Sequence, residues 1–166
     1  MAAIDPGKTS GYIFAEDFLT GVRCGETADV PQLLQLLTAY KPDVVVIEVY
    51  RLYPWRAREQ FWGELPAAQA TGALKVWCGE RYVTCIEQAA VDRAIISDGA
   101  LRAAGLWRMT RGKPHARDAA RHLLVFYMRS GFARETAELL HGRRGQRGER
   151  DGAPAQTHRE SSGASD

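Results

Sequence analysis

A run of β-branched residues near the middle of the chain constrains the fold more than any other feature. The six residues 44–49 read Val-Val-Val-Ile-Glu-Val. Because side chains alternate between the two faces of a strand, the four consecutive apolar residues 44–47 predict a strand that is buried on both faces. Helices then have to cover both sides of the sheet, which indicates the α/β class.

Hydrophobic periodicity and turn residues predict further strands and helices around this run. The predicted strands are 1–4, 11–15, 18–24, 44–49 and 82–86. The predicted helices are one between Asp29 and Pro42, then 55–78 with a candidate kink at Pro66, 88–104 and 115–130. This order implies a mixed five-stranded sheet, in which three antiparallel strands precede two parallel strands, with helices on both faces.

The chain divides into a folded domain and a tail of different composition. Its 166 residues suit one domain, which we place at 1–142. Residues 143–166 have no apolar side chain other than three alanines, so this segment is predicted to be disordered. Three cysteines cannot form a closed set of disulfides, which favours reduced thiols and a cytoplasmic location.

Composition also restricts the function classes. No stretch of about 18 apolar residues is present, and Asp5 leaves no room for a signal peptide, so neither a membrane span nor secretion is expected. The chain has 22 basic and 20 acidic residues, for a net charge of +2. Affinity for nucleic acid would therefore have to come from local clusters of basic residues.

Two carboxylates stand at the ends of predicted strands, where an uncompensated charge is costly. Asp5 follows the first apolar run, and Glu48 lies near the end of the central run. A metal ion is one partner that would compensate these charges. In the alternative interpretation, Glu48 pairs with Arg51 or lies at an exposed strand end.

A third candidate lies at the start of the last predicted helix. His115 and Asp118 are three residues apart and therefore share one face of its first turn, with His122 on a neighbouring part of that face. Taken alone, each histidine is more typical of an ordinary surface or core position.

These acidic residues could converge on one point. Two carboxylates from adjacent strands and one from a helix across the sheet supply hard oxygen ligands, which select Mg²⁺ or Mn²⁺. Two such ions would clamp the attacking water and the leaving oxygen of a phosphodiester. This arrangement predicts phosphodiester hydrolysis.

The segment after Glu48 is typical of nucleic-acid binding, because its arginines alternate with aromatic side chains that can stack on exposed bases. The candidate DNA-binding residues are Arg51, Tyr53, Trp55, Arg56 and Arg58 in this segment, and Lys75, Arg111 and Lys113 elsewhere. Packing of an ordinary amphipathic helix is the alternative explanation.

Residues 5–9, Asp-Pro-Gly-Lys-Thr, also resemble two nucleotide-binding patterns. A P-loop needs a glycine at position 2, where the chain has Ala2. The first phosphate loop of actin-like ATPases requires a second related loop and lobe, and the sequence contains neither. An actin-like ATPase is therefore a weak alternative.

Three stretches resemble motifs of the RuvC family of Holliday-junction resolvases, within the ribonuclease-H-like superfamily. They are Ile-Asp-Pro-Gly-x-Thr-x-Gly-Tyr at 4–12, Val-Val-Ile-Glu at 45–48 and His-x-x-Asp-Ala at 115–119. The sequence is especially similar to the shorter RuvC-like proteins of bacteriophages. Their glutamate strand runs into Arg-Leu-Tyr-Pro, as at 51–54, and their last helix carries His-Ala-Arg-Asp-Ala-x-x-His, as at 115–122.

The resemblance implies a ribonuclease-H-like fold and a homodimer that binds four-way DNA junctions in recombination and repair. It implies paired, Mg²⁺-dependent or Mn²⁺-dependent incisions, with two ions in each active site. Asp5, Glu48 and Asp118 would be metal ligands, and His115 would be a fourth ligand or would orient the water. A broader nuclease for flaps and forks, and a non-catalytic module that binds branched DNA, are the alternatives. A phage-encoded protein would act in the host cytoplasm.

Overall fold

The computed structural model describes residues 1–49 and 65–141. Its strands are β1 (Ala2–Asp5), β2 (Ser10–Phe14), β3 (Arg23–Thr27), β4 (Val44–Val49) and β5 (Thr84–Ala89). Its helices are α1 (Val30–Tyr40), α2 (Pro66–Glu80), α3 (Asp98–Ala103), α4 (Leu106–Met109), α5 (Pro114–Arg129) and α6 (Ala133–His141), with a 3₁₀ helix at Ala90–Ile95 before α3. The tail predicted at 143–166 lies outside the described residues.

The strands form one mixed sheet in the order β3-β2-β1-β4-β5. β1 pairs antiparallel with β2, and β2 pairs antiparallel with β3. β4 runs parallel to both β1 and β5. The predicted mixed sheet of three antiparallel strands followed by two parallel strands is therefore confirmed.

Helices cover both faces of this sheet, as predicted. On one face, which we call the α1/α2 face, the buried core includes Ile4, Ile47, Leu33, Leu37, Leu74 and Trp77. On the other, which we call the α5 face, it includes Ala3, Ile13, Val46, Leu123, Leu124 and Tyr127. Neighbouring residues of β4 thus enter different cores, which explains its unbroken apolar run.

Local signals placed α1 correctly. The Asp29 side chain accepts the amide hydrogen of Gln32 at 3.2 Å, and Pro31 occupies the first turn. The helix ends at Tyr40 and is capped by Lys41, whose φ of 55° is left-handed, just before Pro42. A cap and a proline at its two ends are sufficient to delimit this helix.

The prediction of a third strand at 18–24 is wrong, because β3 begins at Arg23. The Phe18 ring instead packs against Tyr127 and Phe132, with centroids 5.0 and 5.7 Å away. Leu19 adopts a φ of 53° in the turn. Phe18, Leu19 and Val22 therefore pack against the core of the α5 face and precede the strand.

The prediction of one helix at 88–104 is also wrong. β5 continues in register with β4 as far as Ala89. Asp92 then accepts the amide hydrogen of Ala89 at 2.9 Å, which closes the 3₁₀ helix, and Ser97 caps the separate helix α3. Two short polar side chains thus divide the segment, because they satisfy main-chain groups that a longer helix would have used.

Other element boundaries need correction. Pro66 is the first residue of α2 rather than a kink in a longer helix, and the predicted helical residues 55–64 lie outside the described residues. The strand predicted at 82–86 begins at Thr84, because Tyr82 has a φ of 55°. The sequence did not predict α4 or α6. Within the described ranges, no helix has the length and apolarity needed to cross a membrane.

Candidate active site

Three polar side chains extend from the carboxyl ends of β1, β4 and β5. Asp5, Glu48 and Gln88 each stand two residues after a side chain of the α5-face core, so strand alternation directs all three toward that face. The three strands are parallel neighbours, and their carboxyl ends therefore meet at one edge of the sheet. This edge lies beside the N-terminal half of α5.

The N-terminal end of α5 lies directly on the sheet. Gly11 has no side chain at the crossing point, where a Cβ would overlap the main-chain carbonyl of His115. Oε1 of Glu26 in β3 accepts the amide hydrogens of His115 at 2.7 Å and of Ala116 at 3.2 Å. A carboxylate here satisfies free amides and complements the helix dipole. Gly11 and Glu26 thereby set the position of α5 over the strand ends.

Asp5 and His115 contact one another. Nδ1 of His115 is 3.0 Å from Oδ2 of Asp5. The pKa of Asp5 is raised from 3.8 to about 6, chiefly because the carboxyl group is buried. The negative charges of Glu48 and, to a smaller extent, Asp118 also raise this pKa, whereas the contact with His115 lowers it. Since neighbouring carboxylates contribute to this rise, negative charge is concentrated in one small region.

Glu48 is held by cationic and polar neighbours. Its Oε2 lies 2.7 Å from Nε2 of the buried His122 and accepts a hydrogen bond from Nη1 of Arg93 at 2.9 Å. Nδ1 of His122 lies in turn 2.7 Å from Oε1 of Gln88. Burial favours a higher pKa of Glu48, but the hydrogen bonds and charges of His122 and Arg93 outweigh it and lower that pKa.

Asp118 completes the group from the first turns of α5. Its Oδ1 accepts a hydrogen bond from Nη1 of Arg121 at 2.5 Å, and its Oδ2 lies 3.3 Å from Nη1 of Arg93. Nη2 of Arg121 also donates to Oδ1 of Asp98 at 2.6 Å. Asp118 is therefore fixed by two guanidinium groups, one of which it shares with Glu48.

The structure thus brings together all four residues predicted for the site. Asp5 contacts His115 directly, and Glu48 and Asp118 meet at Arg93. In the described part of the chain, no three His, Cys, Asp or Glu side chains stand ready to hold a metal ion. The donor chemistry nevertheless fits a hard divalent cation, since three carboxylates supply oxygen ligands, and the pKa of Asp5 is raised by its burial and, to a lesser degree, by the charges of Glu48 and Asp118.

Sequence reasoning missed Glu26 and Arg93, which organise this group, and it did not identify the partner of His122. Glu26 belongs to no recognisable sequence motif, because its hydrogen-bond partners are main-chain amides of a helix that is distant in the sequence. Arg93 falls in a segment wrongly predicted as helix. His122 was placed near the site by its spacing from Asp118, but its contact with Glu48 depends on how α5 crosses β4.

Three of the predicted DNA-binding residues, namely Lys75, Arg111 and Lys113, lie within the described residues. Arg51, Tyr53, Trp55, Arg56 and Arg58 lie outside the described residues. Lys75 is ion-paired with Glu87 at 2.5 Å, on the α1/α2 face and away from the carboxylates. Arg111 is exposed, and Nζ of Lys113 donates to the Cys24 carbonyl at 3.4 Å, immediately before α5.

A cluster of Arg102, Trp107 and Arg117, which the sequence did not single out, extends the predicted basic residues Arg111 and Lys113. The Trp107 ring contacts two guanidinium groups, with Cζ of Arg102 4.3 Å and Cζ of Arg117 4.1 Å from the ring centroid. Residues 99–117 contain no acidic residue and five basic ones, namely Arg102, Arg108, Arg111, Lys113 and Arg117. The segment that leads into α5 therefore carries a local positive charge, which the near-neutral total charge of the chain conceals.

Solved structures of RuvC from Thermus thermophilus have a similar fold. One, in complex with a Holliday junction substrate, is 21% identical with a TM-score of 0.52, and another is 19% identical with a TM-score of 0.51. Each match covers 79% of this chain and 96% of the other. No protein-family model matches the sequence, and no curated protein is significantly similar to it. The predicted RuvC-like, ribonuclease-H-like fold is confirmed.

Proposed function

We propose that this chain, which shares the fold of RuvC, is a structure-selective DNA endonuclease that resolves four-way junctions by metal-dependent phosphodiester hydrolysis. One observation carries the proposal: Asp5, Glu48, His115 and Asp118, which are distant in the sequence, gather at one edge of the sheet. A cluster of carboxylates at this place is expensive for a protein unless a cation or a reaction uses it.

Asp5, Glu48 and Asp118 would hold two Mg²⁺ or Mn²⁺ ions, and His115 would add a nitrogen ligand or orient the attacking water. When bound, the ions supply positive charge that stabilises the transition state of phosphodiester hydrolysis. Gly11 and Glu26 position α5 and its two site residues. The burial of Asp5 keeps the charge of the site poorly screened by solvent.

Branched DNA is the proposed substrate and a second copy of the chain is the proposed partner. The basic cluster around Trp107, together with Arg111 and Lys113, provides guanidinium and ammonium groups for phosphates beside α5. Arg51, Tyr53, Trp55, Arg56 and Arg58 are further proposed DNA contacts. Paired incisions need two active sites, and the described residues form one such cluster in each chain, so the proposal includes a homodimer.

Cleavage of a synthetic four-way junction in Mg²⁺ tests the proposal. We expect Asp5→Asn and Asp118→Asn each to lower the nicking rate by more than about tenfold, because each removes charge from the metal site. Asp43→Asn is the matched control, since Asp43 is an exposed carboxylate just before the opposite end of β4. Retained cleavage in either site variant would contradict the assignment.

The substrate range is tested in parallel with flaps, forks and linear duplexes of equal length. A junction resolvase cleaves the four-way junction fastest. Equal rates on flaps and forks would instead indicate a general debranching nuclease. Absence of cleavage, together with absence of Mn²⁺ binding and retained junction binding, would indicate a non-catalytic module for branched DNA.

A further inference from the structure

A single guanidinium group stands between two of the proposed metal ligands. Nη1 of Arg93 is 2.9 Å from Oε2 of Glu48 and 3.3 Å from Oδ2 of Asp118. The Arg93 side chain is 38% exposed, which makes it more accessible to solvent than either carboxylate that it contacts. No other described residue bridges these two carboxylates.

The backbone that carries Arg93 is anchored on both sides. Oδ2 of Asp92, the preceding residue, accepts the amide hydrogen of Ala89 at the end of β5, at 2.9 Å. Oδ1 of Asp92 accepts a hydrogen bond from Nη2 of Arg129, at the end of α5, at 2.8 Å. The 3₁₀ helix is therefore tied to the sheet and to α5 independently of Arg93, whose side chain alone enters the site.

The contacts of Arg93 conflict with metal ligation. The oxygens it contacts, Oε2 of Glu48 and Oδ2 of Asp118, are ones that these carboxylates would present to a cation. A guanidinium group and a divalent ion cannot both occupy the space between them, because their positive charges repel strongly at such short range.

We propose that Arg93 competes with divalent cations for the site and so acts as a lock: its guanidinium group pairs with Glu48 and Asp118 until a divalent cation displaces it. The inference rests on the proposed function, which makes these two carboxylates metal ligands. Arg93 is accordingly a positioning residue that sets the cation concentration at which the site fills. Without the charge of Arg93, a divalent cation should bind at the site more tightly. The two carboxylates should also repel each other more strongly when no cation is bound, which should lower the stability of the metal-free protein.

Mn²⁺ binding to the full-length chain tests the lock, measured by electron paramagnetic resonance and by isothermal titration. Arg93→Gln is expected to bind Mn²⁺ on the order of tenfold more tightly than the original chain, because a competing charge has gone. The melting temperature of the variant without metal, in EDTA, is expected to fall. A variant that merely loosened the site would bind Mn²⁺ more weakly, so the sign of the change separates the two explanations.

Two controls accompany this variant. Arg93→Lys keeps the charge and should bind Mn²⁺ within about twofold of the original chain, since the electrostatic competition is retained. Arg129→Gln removes the ion pair that anchors the same 3₁₀ helix, but Arg129 contacts none of the proposed ligands. It should leave Mn²⁺ affinity unchanged. Tighter binding in Arg129→Gln would mean that loosening of the 3₁₀ helix, rather than charge, limits cation entry, and would overturn the lock.

The remaining outcomes separate the lock from the proposed function. Unchanged or weaker Mn²⁺ binding in Arg93→Gln, while the original chain cleaves junctions, overturns the lock and leaves the nuclease assignment standing. If the original chain does not bind Mn²⁺ and Arg93→Gln does, the result supports the lock. Absence of binding in both proteins overturns the lock together with the proposed metal requirement.

Discussion

The α1/α2 face of the sheet buries aliphatic and aromatic side chains, whereas the α5 face combines an aliphatic core with a polar cluster at one edge. On the first face, the polar contacts of the buried core are between uncharged groups, for example the hydrogen bond from Nε1 of Trp77 to Thr38 at 3.1 Å. On the second, the buried side chains include Asp5, Gln88 and His122. The same strands supply both faces, because successive residues point in opposite directions.

This difference indicates that one face of the sheet mainly stabilises the fold, whereas the other also carries the candidate active site. Burial of apolar area on the α1/α2 face stabilises the fold without involving charge. The α5 face carries Asp5, and its negative charge costs stability because the carboxylate is buried and lies near Glu48 and Asp118, as its raised pKa indicates. Substitutions on the two faces should therefore affect stability and cleavage differently.

The largest expected change in stability comes from the α1/α2 face. Leu37 is fully buried, and Leu37→Ala should lower the free energy of unfolding by about 2–5 kcal/mol through lost burial and a cavity. Cleavage per folded molecule should stay the same. Urea unfolding and junction cleavage below the transition measure both, with the exposed Gln35→Ala of the same helix as control. A loss of cleavage in the fully folded variant would contradict the proposal that the α1/α2 face contributes to stability but not to cleavage.

Asp5→Asn should have opposite effects on stability and cleavage. The pKa of Asp5 is about 6 in the folded protein, against an ordinary value of 3.8. Between these two pH values the folded protein therefore binds more protons than the unfolded chain, and its free energy of unfolding falls as pH rises toward about 6. Above that pH the charged Asp5 destabilises the folded protein by the full amount. The variant should therefore be more stable than the original metal-free chain at pH 8, by at most about 3 kcal/mol. Near pH 4 the two should differ little. Urea unfolding in EDTA at both pH values checks this, and equal stabilities at pH 8 would contradict it.

Gly11→Ala should lower stability and cleavage together, because the new Cβ meets the main chain of His115 and forces α5 away from the sheet. A loss of about 1–3 kcal/mol is expected. Gly72→Ala is the matched control, since a Cβ there meets no atom within 4 Å. In the interior of α2, that alanine should stabilise the protein by about 1 kcal/mol or less. If Gly11→Ala kept full stability, the close approach of α5 would be wrong.

The smallest expected effect concerns the carboxylate that caps α5. Glu26→Gln keeps an oxygen acceptor for the amides of His115 and Ala116 but removes the charge that complements the helix dipole. Stability should fall by about 0.5–1 kcal/mol, and the difference should shrink at high salt. The exposed Glu138→Gln in α6 serves as control. A salt-independent difference would point to lost packing rather than charge.

Elements with local signals were predicted well. α1 has a cap at Asp29 and a proline after its end, and β4 has an unbroken apolar run. The elements predicted wrongly lack such signals. The apolar residues of 18–24 serve the core of the α5 face, and the 88–104 segment is divided by side-chain contacts with its own backbone. Hydrophobic pattern alone cannot distinguish these uses.

The sequence by itself determined which residues share a face: the strand-end carboxylates Asp5 and Glu48, and the pair His115 and Asp118 on one helical turn. The repeat of two residues in strands and of 3.6 in helices is a local property of the backbone, so spacing is enough to reveal it. Only the tertiary structure decided that Arg93 bridges Glu48 and Asp118 and that Glu26 caps α5. Those contacts join residues far apart in the chain, and they depend on how helices cross the sheet, which no local repeat encodes.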